Sequence, residues 1–276
     1  MNHSLVNGHP DSHISLFDRG FSYGDGVFET LLVEAGKPLL LQRHLRRLRK
    51  GLKRLGIEID QLFRECLKSE IEQLCLGQQR AILKIVVTRG EGGRGYRAAA
   101  ELQPNRMLIV SAAADYPSYW YQQGCELYLC HTRLGINPLL AGIKHLNRLE
   151  QVLARSEWQD QYPEGLVCDI HDRLIEGTMS NLFLVRGQQL LTPLIDNCGV
   201  AGVVRSVIID WAERNSINVL EQNLTVDDLF SADGAFLTNT GFGILPIRAC
   251  DERAIALSSM TQSASQWLAE ARQCEW

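Results

Sequence analysis

A helix that begins at Gln42 carries leucines 41, 45, 48, 52 and 55 on one face. A stripe at that spacing commits the chain to a packed layer beneath it. The opposite face is crowded with Arg43, Arg46, Arg47, Arg49, Lys50, Lys53 and Arg54, which reads as a solvated basic face, with Arg47 singled out below. Upstream, Gly20, Gly24 and Gly26 permit tight backbone geometry, and an alternating strand runs on through Val33. Gly36-Lys37-Pro38 suggests a hairpin into the helix. Residues 4–7 and 13–17 read as short strands, 60–75 as a second helix, and 81–88 and 107–111 as strands.

Between the last two strands lies Arg89-Gly90-Glu91-Gly92-Gly93-Arg94-Gly95-Tyr96, which contains G-x-G-x-x-G, with Asp115 twenty residues beyond Gly95. That outline belongs to dinucleotide binding. The intervening residues 96–103 are too few to cross over between parallel strands before Pro104. A glycine-rich loop lined by arginines fits an anionic substrate better.

Asn137-Pro138 is a turn signal, and the stretch after it, Ala141-Gly142-Ile143-Lys144-His145-Leu146-Asn147-Arg148-Leu149-Glu150, opens an apolar period in which Leu146, Leu149, Val152 and Leu153 share a helical face. Lys144 sits just before that helix among apolar neighbours. Desolvation disfavours an ammonium, and a neutral amine is what Schiff-base chemistry requires. Further on come strands at 165–170, 183–186 and 189–192. Gly199-Val200-Ala201-Gly202-Val203-Val204-Arg205 runs into a helix over 206–215 and has the character of an anion site, because a helix start offers free N–H groups and a positive dipole end. Strands near 219–223 and 235–239 and a last helix over 258–273 complete the chain.

The chain has 276 residues, 45% hydrophobic and 22% charged, enough for one large or two smaller domains. The aromatic-rich residues 116–123 read as a linker between an N-terminal domain, 1–115, and a C-terminal domain, 124–276. A net charge of −4 argues against nucleic acid as a partner. No apolar run reaches membrane-spanning length and no signal-peptide core opens the chain, which points to a cytoplasmic protein with no membrane partner. The eight cysteines form no C-x-x-C pair and the seven histidines lack ligand spacing. Reduced thiols and no metal site are the expectation.

Five motifs in order are similar to those of the fold-type IV pyridoxal-phosphate enzymes, the branched-chain and D-amino-acid aminotransferases and the aminodeoxychorismate lyases. They are Phe21-x-Tyr23-Gly24-Asp25-Gly26-Val27-Phe28-Glu29-Thr30, His44-x-x-Arg47-Leu48, the Lys144 segment, Glu176-Gly177-x-x-x-Asn181-Leu182-Phe183, and Gly199-x-x-Gly202-x-x-Arg205. The resemblance covers nearly the whole chain. The Arg89–Tyr96 loop and the Lys144 segment look like the lyase branch. That resemblance implies an α/β fold of two domains, a smaller N-terminal one and a larger C-terminal pseudo-barrel, with pyridoxal 5'-phosphate in the cleft and a homodimeric assembly. It implies that Lys144 binds the cofactor covalently and later carries protons. Glu176 matches the carboxylate facing the pyridine nitrogen, and Arg47, the amides of Val203 and Val204, and Thr240 match the phosphate cup, with Asn181 supporting them. Thr30 is implied as a proton relay. Lys84, Arg89 and Arg94 are candidates for the substrate's carboxylates, with Tyr96 beside them. The implied reaction converts 4-amino-4-deoxychorismate to 4-aminobenzoate and pyruvate, a step toward folate. A D-amino-acid or branched-chain aminotransferase is the alternative, and a non-enzymatic binding protein the third reading. The aminotransferases carry a tyrosine where this chain has Leu149, so the partner of the cofactor's ring hydroxyl is unassigned. Phe28 also stands where some relatives have tyrosine.

Overall fold

The computed structural model describes residues 3–99 and 101–274. It separates into two compact units. The first holds the chain up to Ala114 and the short segment Ile143–Asn147; the second holds Asp115–Gly142 and Arg148–Cys274.

The first unit contains β1 (His3–Val6), β2 (His9–Pro10), α1 (Arg19–Tyr23), β3 (Gly26–Glu34), β4 (Lys37–Pro38), α2 (Leu41–Leu55), α3 (Gln61–Cys75), β5 (Arg80–Thr88) and β6 (Asn105–Ala112). Its sheet runs β2-β1-β6-β5-β3-β4. The β5–β6 hairpin is antiparallel, pairing Thr88 with Asn105, so the glycine-rich loop between them joins antiparallel strands and no dinucleotide crossover exists. The leucine stripe behaves as its spacing requires. Leu48 and Leu52 lie buried with Leu31, Leu83, Ile85 and Ile71, each leucine stabilising by about 2 kcal/mol. Gly56, at φ 64°, ends α2, and Asp60 caps α3 by accepting from Phe63 N–H at 2.7 Å. The strand expected over 13–17 is absent: Asp11 draws the chain into a turn by accepting from the amides of Ser12 and His13.

The second unit contains α4 (Ser118–Gln123), β7 (Cys125–Leu134), α5 (Leu149–Arg155), β8 (Gly165–Asp169), β9 (Leu174–Gly177), β10 (Asn181–Arg186), β11 (Gln189–Pro193), α6 (Val203–Arg214), β12 (Val219–Gln222), α7 (Val226–Phe230), β13 (Gly234–Asn239), β14 (Gly243–Cys250), β15 (Arg253–Ala254) and α8 (Ser259–Cys274). Its sheet follows β12-β11-β10-β13-β14-β7-β8-β9, with β15 on β14. β9, at one end of that path, packs against β10 and β11 near the other, so the sheet curls into a half-barrel. Within residues 116–123, Tyr121 Oη donates to Phe242 O at 3.1 Å, Tyr116 meets the Phe242 ring edge-on at 5.7 Å, and Tyr116 and Trp120 pack against this unit's core.

No helix among the described residues is long and apolar enough to cross a membrane. The described cysteines outside α8 are all free thiols, and burial pushes Cys125, Cys198 and Cys250 up to about 12.

Candidate active site

Lys144 is not at a helix start. The helix expected from Leu146 onward begins only at Leu149, and Leu149, Val152 and Leu153 are 70%, 57% and 55% exposed. Residues Ile143–Asn147 instead run extended along the edge of β3. Phe28 N–H donates to Lys144 O at 2.9 Å, Leu146 N–H donates to Gly26 O at 3.0 Å, and Val27 bridges His145. Backbone pairing with a partner distant in sequence overrides the local helical period. Gly24, at φ 66°, ends α1 where Asn147 lies against it. Asn147 Nδ2 donates to Gly24 O at 3.2 Å, so a side chain at Gly24 would displace this lysine segment.

Strand register then decides what Lys144 shares a face with. Side chains alternate across a strand, and Lys144 stands beside Phe28, with its Nζ 4.4 Å from the ring centroid. Thr30 is on the same side of β3, directly paired with Lys84 of β5. Lys84 Nζ is 5.4 Å from the same Phe28 ring. Lys144, Phe28, Thr30 and Lys84 thus form one row on one face of the sheet.

The other face of β3 carries Glu29, fully buried against α2. Arg47 grips it with two bonds, Nε to Oε1 at 2.8 Å and Nη2 to Oε2 at 2.6 Å, while His44 Nδ1 meets Oε2 at 2.6 Å. Burial alone raises a carboxyl, but the charge and bonds of Arg47 and the bond from His44 outweigh it and hold Glu29 at about 2. An ionised Glu29 accepts a hydrogen bond from Nδ1–H of His44, whose own affinity for a second proton is lowered, first by burial. Arg47 is therefore no member of a solvated face. It is part of a buried charge network that the sequence did not reveal.

In the second unit, β9, a strand the sequence reading missed, delivers Glu176. It is 5% exposed, and its Oε2 accepts Val200 N–H at 2.8 Å. Asn181, the first residue of β10, donates from Nδ2 to Val200 O at 2.8 Å. Val200 is thus held at both its polar atoms. The turn between β9 and β10 is organised by Glu164, 1% exposed, which accepts from Ser180 Oγ at 2.7 Å, from Met179 N–H at 3.0 Å and from the Thr178 hydroxyl. Burial pushes the Glu164 carboxyl up. Helix α6 starts at Val203, three residues earlier than expected. Gly202 caps it without any side-chain bond, so the first-turn amides of Val203 and Val204 face outward with no helical partner. A Cβ on Gly202 would fall on Asn181 Oδ1. The Asn239 side-chain amide donates to Met179 O, which ties the turn holding Thr240 to the turn after Glu176. Arg205 lies outside this group: it is bonded to Pro193 O at 3.0 Å and Glu221 at 2.6 Å. Burial lowers the Arg148 guanidinium while Glu176 and Glu150 oppose that shift; this cation, next in sequence to Leu149, was overlooked.

Of the basic residues assigned to substrate carboxylates, Arg89 is committed elsewhere. It pairs with Asp25 through Nε at 2.7 Å and Nη2 at 3.1 Å and donates to the carbonyls of Gly56 and Leu55. Arg94 is exposed between two glycines, and Tyr96 is 88% exposed. No His, Cys, Asp and Glu cluster fit for a metal ion occurs among the described residues.

Within the first unit the Lys144 amine beside Phe28 has the chemistry to meet an aldehyde, and within the second the buried Glu176 carboxylate and the uncapped start of α6 have the chemistry to meet a ring nitrogen and a phosphate. Comparison with known proteins shows the family. The family profile for amino-transferase class IV matches residues 26–250. An aminodeoxychorismate lyase of Vibrio harveyi is 35% identical over 88% of this chain and 89% of its own. A putative branched-chain-amino-acid aminotransferase of Methanocaldococcus jannaschii is 33% identical over 89% and 85%. The crystal structure of 4-amino-4-deoxychorismate lyase from Pseudomonas aeruginosa superimposes with a TM-score of 0.93 at 44% identity, covering 99% of this chain and 100% of that one.

Proposed function

The chain belongs to the class IV amino-transferase family, and from that premise we propose that it is an aminodeoxychorismate lyase, converting 4-amino-4-deoxychorismate to 4-aminobenzoate and pyruvate. The row of Lys144, Thr30 and Lys84 on one sheet face carries this reading. It brings together an amine to take a proton, a hydroxyl to pass it on and an ammonium to meet a carboxylate.

Pyridoxal 5'-phosphate, when bound, supplies a ring that accepts electrons from the substrate carbon. Lys144 Nζ would hold the group and, once the substrate's amine has displaced it, would take the proton from the amine-bearing carbon. Glu176, oriented by Val200 N–H, keeps the ring nitrogen protonated. Val203 and Val204 would offer their amides to the phosphate, Thr240 its hydroxyl and Arg47 its charge, while Asn181 fixes the loop through Val200 O. Gly142 donates to Gly199 O at 2.9 Å and accepts from Ala201 N–H at 3.2 Å. That is the loop whose Val200 reaches Glu176. Thr30 passes the proton to the methylene of the enolpyruvyl group as its ether bond breaks. The leaving group becomes pyruvate and the ring becomes aromatic. Atoms balance with no amino acceptor. Lys84 and Arg94 pair with the substrate's carboxylates.

Reduction with borohydride followed by peptide mapping tests the assignment of Lys144. The account places the cofactor on the peptide containing Lys144. Label on any other lysine, or none, contradicts it.

The reading includes a homodimer. Leu16, Phe17 and Phe21, 74%, 71% and 66% exposed, lie in one short stretch of the first unit, and apolar surface of this kind favours cover by a second copy.

A further inference from the structure

Arg19 has no part in the chemistry above, yet it is 3% exposed and uses each of its nitrogens. Nε donates to Asp25 Oδ2 at 2.9 Å, Nη1 to Gly95 O at 3.0 Å and Nη2 to Tyr96 O at 2.9 Å. Its Cζ lies 4.9 Å from the centre of the Tyr23 ring. Tyr23 Oη accepts Gly95 N–H at 3.1 Å, and the Tyr23 ring meets Tyr96 edge-on at 5.7 Å. Asp25 also anchors Arg89, the first residue of the same loop. Burial raises the Asp25 carboxyl, but Arg89 and Arg19 outweigh it and leave it below its usual range. Asp25 is thus a fixed anion at the root of the arrangement. Arg94 lies between Gly93 and Gly95 and is exposed.

A loop rich in glycine loses much conformational freedom when it is ordered, roughly 1–2 kcal/mol per residue. Here both residues after Arg94 are fastened by their backbone atoms to a buried cation and a tyrosine hydroxyl, so the cost is met before any ligand arrives. We propose that Arg19 and Tyr23 are positioning residues that hold the glycine-rich loop in the shape that presents Arg94 to a substrate carboxylate. The inference rests on the reading that Arg94 meets the substrate.

Three variants test it: Tyr23→Phe, Arg19→Lys and Arg94→Ala. Tyr23→Phe removes only the acceptor for Gly95 N–H. Arg19→Lys keeps a charge for Asp25 but cannot fork to two carbonyls. Tyr23→Phe raises KM about threefold to tenfold, the worth of one hydrogen bond, and Arg19→Lys raises it by about tenfold or more. In both, kcat stays within about twofold and cofactor absorbance and affinity are unchanged. Trypsin cuts faster after Arg94 and Arg97 in both. In an Arg94→Ala background Tyr23→Phe changes KM no further, whereas a merely structural role gives additive effects. If Arg94→Ala raises KM while the other two variants leave it unchanged, or if the effects add, the positioning role is overturned and the reading of Arg94 survives. If Arg94→Ala itself leaves KM unchanged, the reading of Arg94 falls and takes this inference with it.

Discussion

Glu176 enters the site almost fully buried, with one oxygen fixed by Val200 N–H. The role proposed for it depends on carrying a negative charge rather than on filling space. Glu176→Gln keeps the shape and loses the charge. The cofactor stays bound while turnover falls by about 100-fold to 1,000-fold, the range seen when one preorganised electrostatic partner is removed. A single-turnover measurement within about twofold of the parent would mean that another acid serves the ring. Lys144 and Glu176 were singled out in the sequence because each sits in a distinctive run of neighbours. Arg89 was misread because its true partner, Asp25, lies 64 residues away, and nothing local to Arg89 distinguishes a buried ion pair from a ligand-binding cation. Glu164 was passed over for the same reason: apart from the neighbouring Gly165 N–H, its hydroxyl and amide partners lie at Thr178, Met179 and Ser180, from 14 residues on.

At the level of elements, strands with strong alternation and the two long helices of the first unit were readable from pattern alone. β9 was not, since four residues between two turns give periodicity little to act on. The segment Ile143–Asn147 was misread as the approach to a helix because its pairing with β3 is a tertiary fact. The junction of β3 and α2 carries a pH consequence. Glu29 titrates near 4.5 in an unfolded chain and at about 2 when folded. A depressed carboxyl contributes stability that is complete above its unfolded value and is lost as pH falls through the folded one. His44, also depressed, acts in the same direction from its unfolded value of 6.5. The first unit therefore weakens as pH drops below about 6.5, and more steeply between about 4.5 and about 2. Denaturant titrations across that range check this. Glu29→Gln removes the steep limb; an unchanged limb in that variant would assign acid sensitivity to other carboxylates.

For the whole molecule, an aromatic-rich stretch interrupts the sequence pattern at 116–123, and the chain divides into compact units at Ala114 and Asp115. The sequence could not show that Ile143–Asn147 leaves one unit to join the other, since composition does not change along that stretch. The homodimer is checked by sedimentation at micromolar concentration, where the account gives a mass twice 31.0 kDa; a single-chain mass would leave Leu16, Phe17 and Phe21 in need of another explanation. The central claim is the lyase reaction itself, which differs from amino transfer in what it consumes. An aminotransferase leaves the amine on its cofactor and needs an amino acceptor before it can turn over again. The lyase releases both products and is ready at once. The most direct measurement is incubation of the cofactor-loaded protein with 4-amino-4-deoxychorismate in the absence of any 2-oxo acid, following 4-aminobenzoate and pyruvate together. The account predicts many turnovers and equal amounts of the two products; absence of 4-aminobenzoate, with rapid amino exchange once an amino acid and 2-oxoglutarate are supplied, would contradict it.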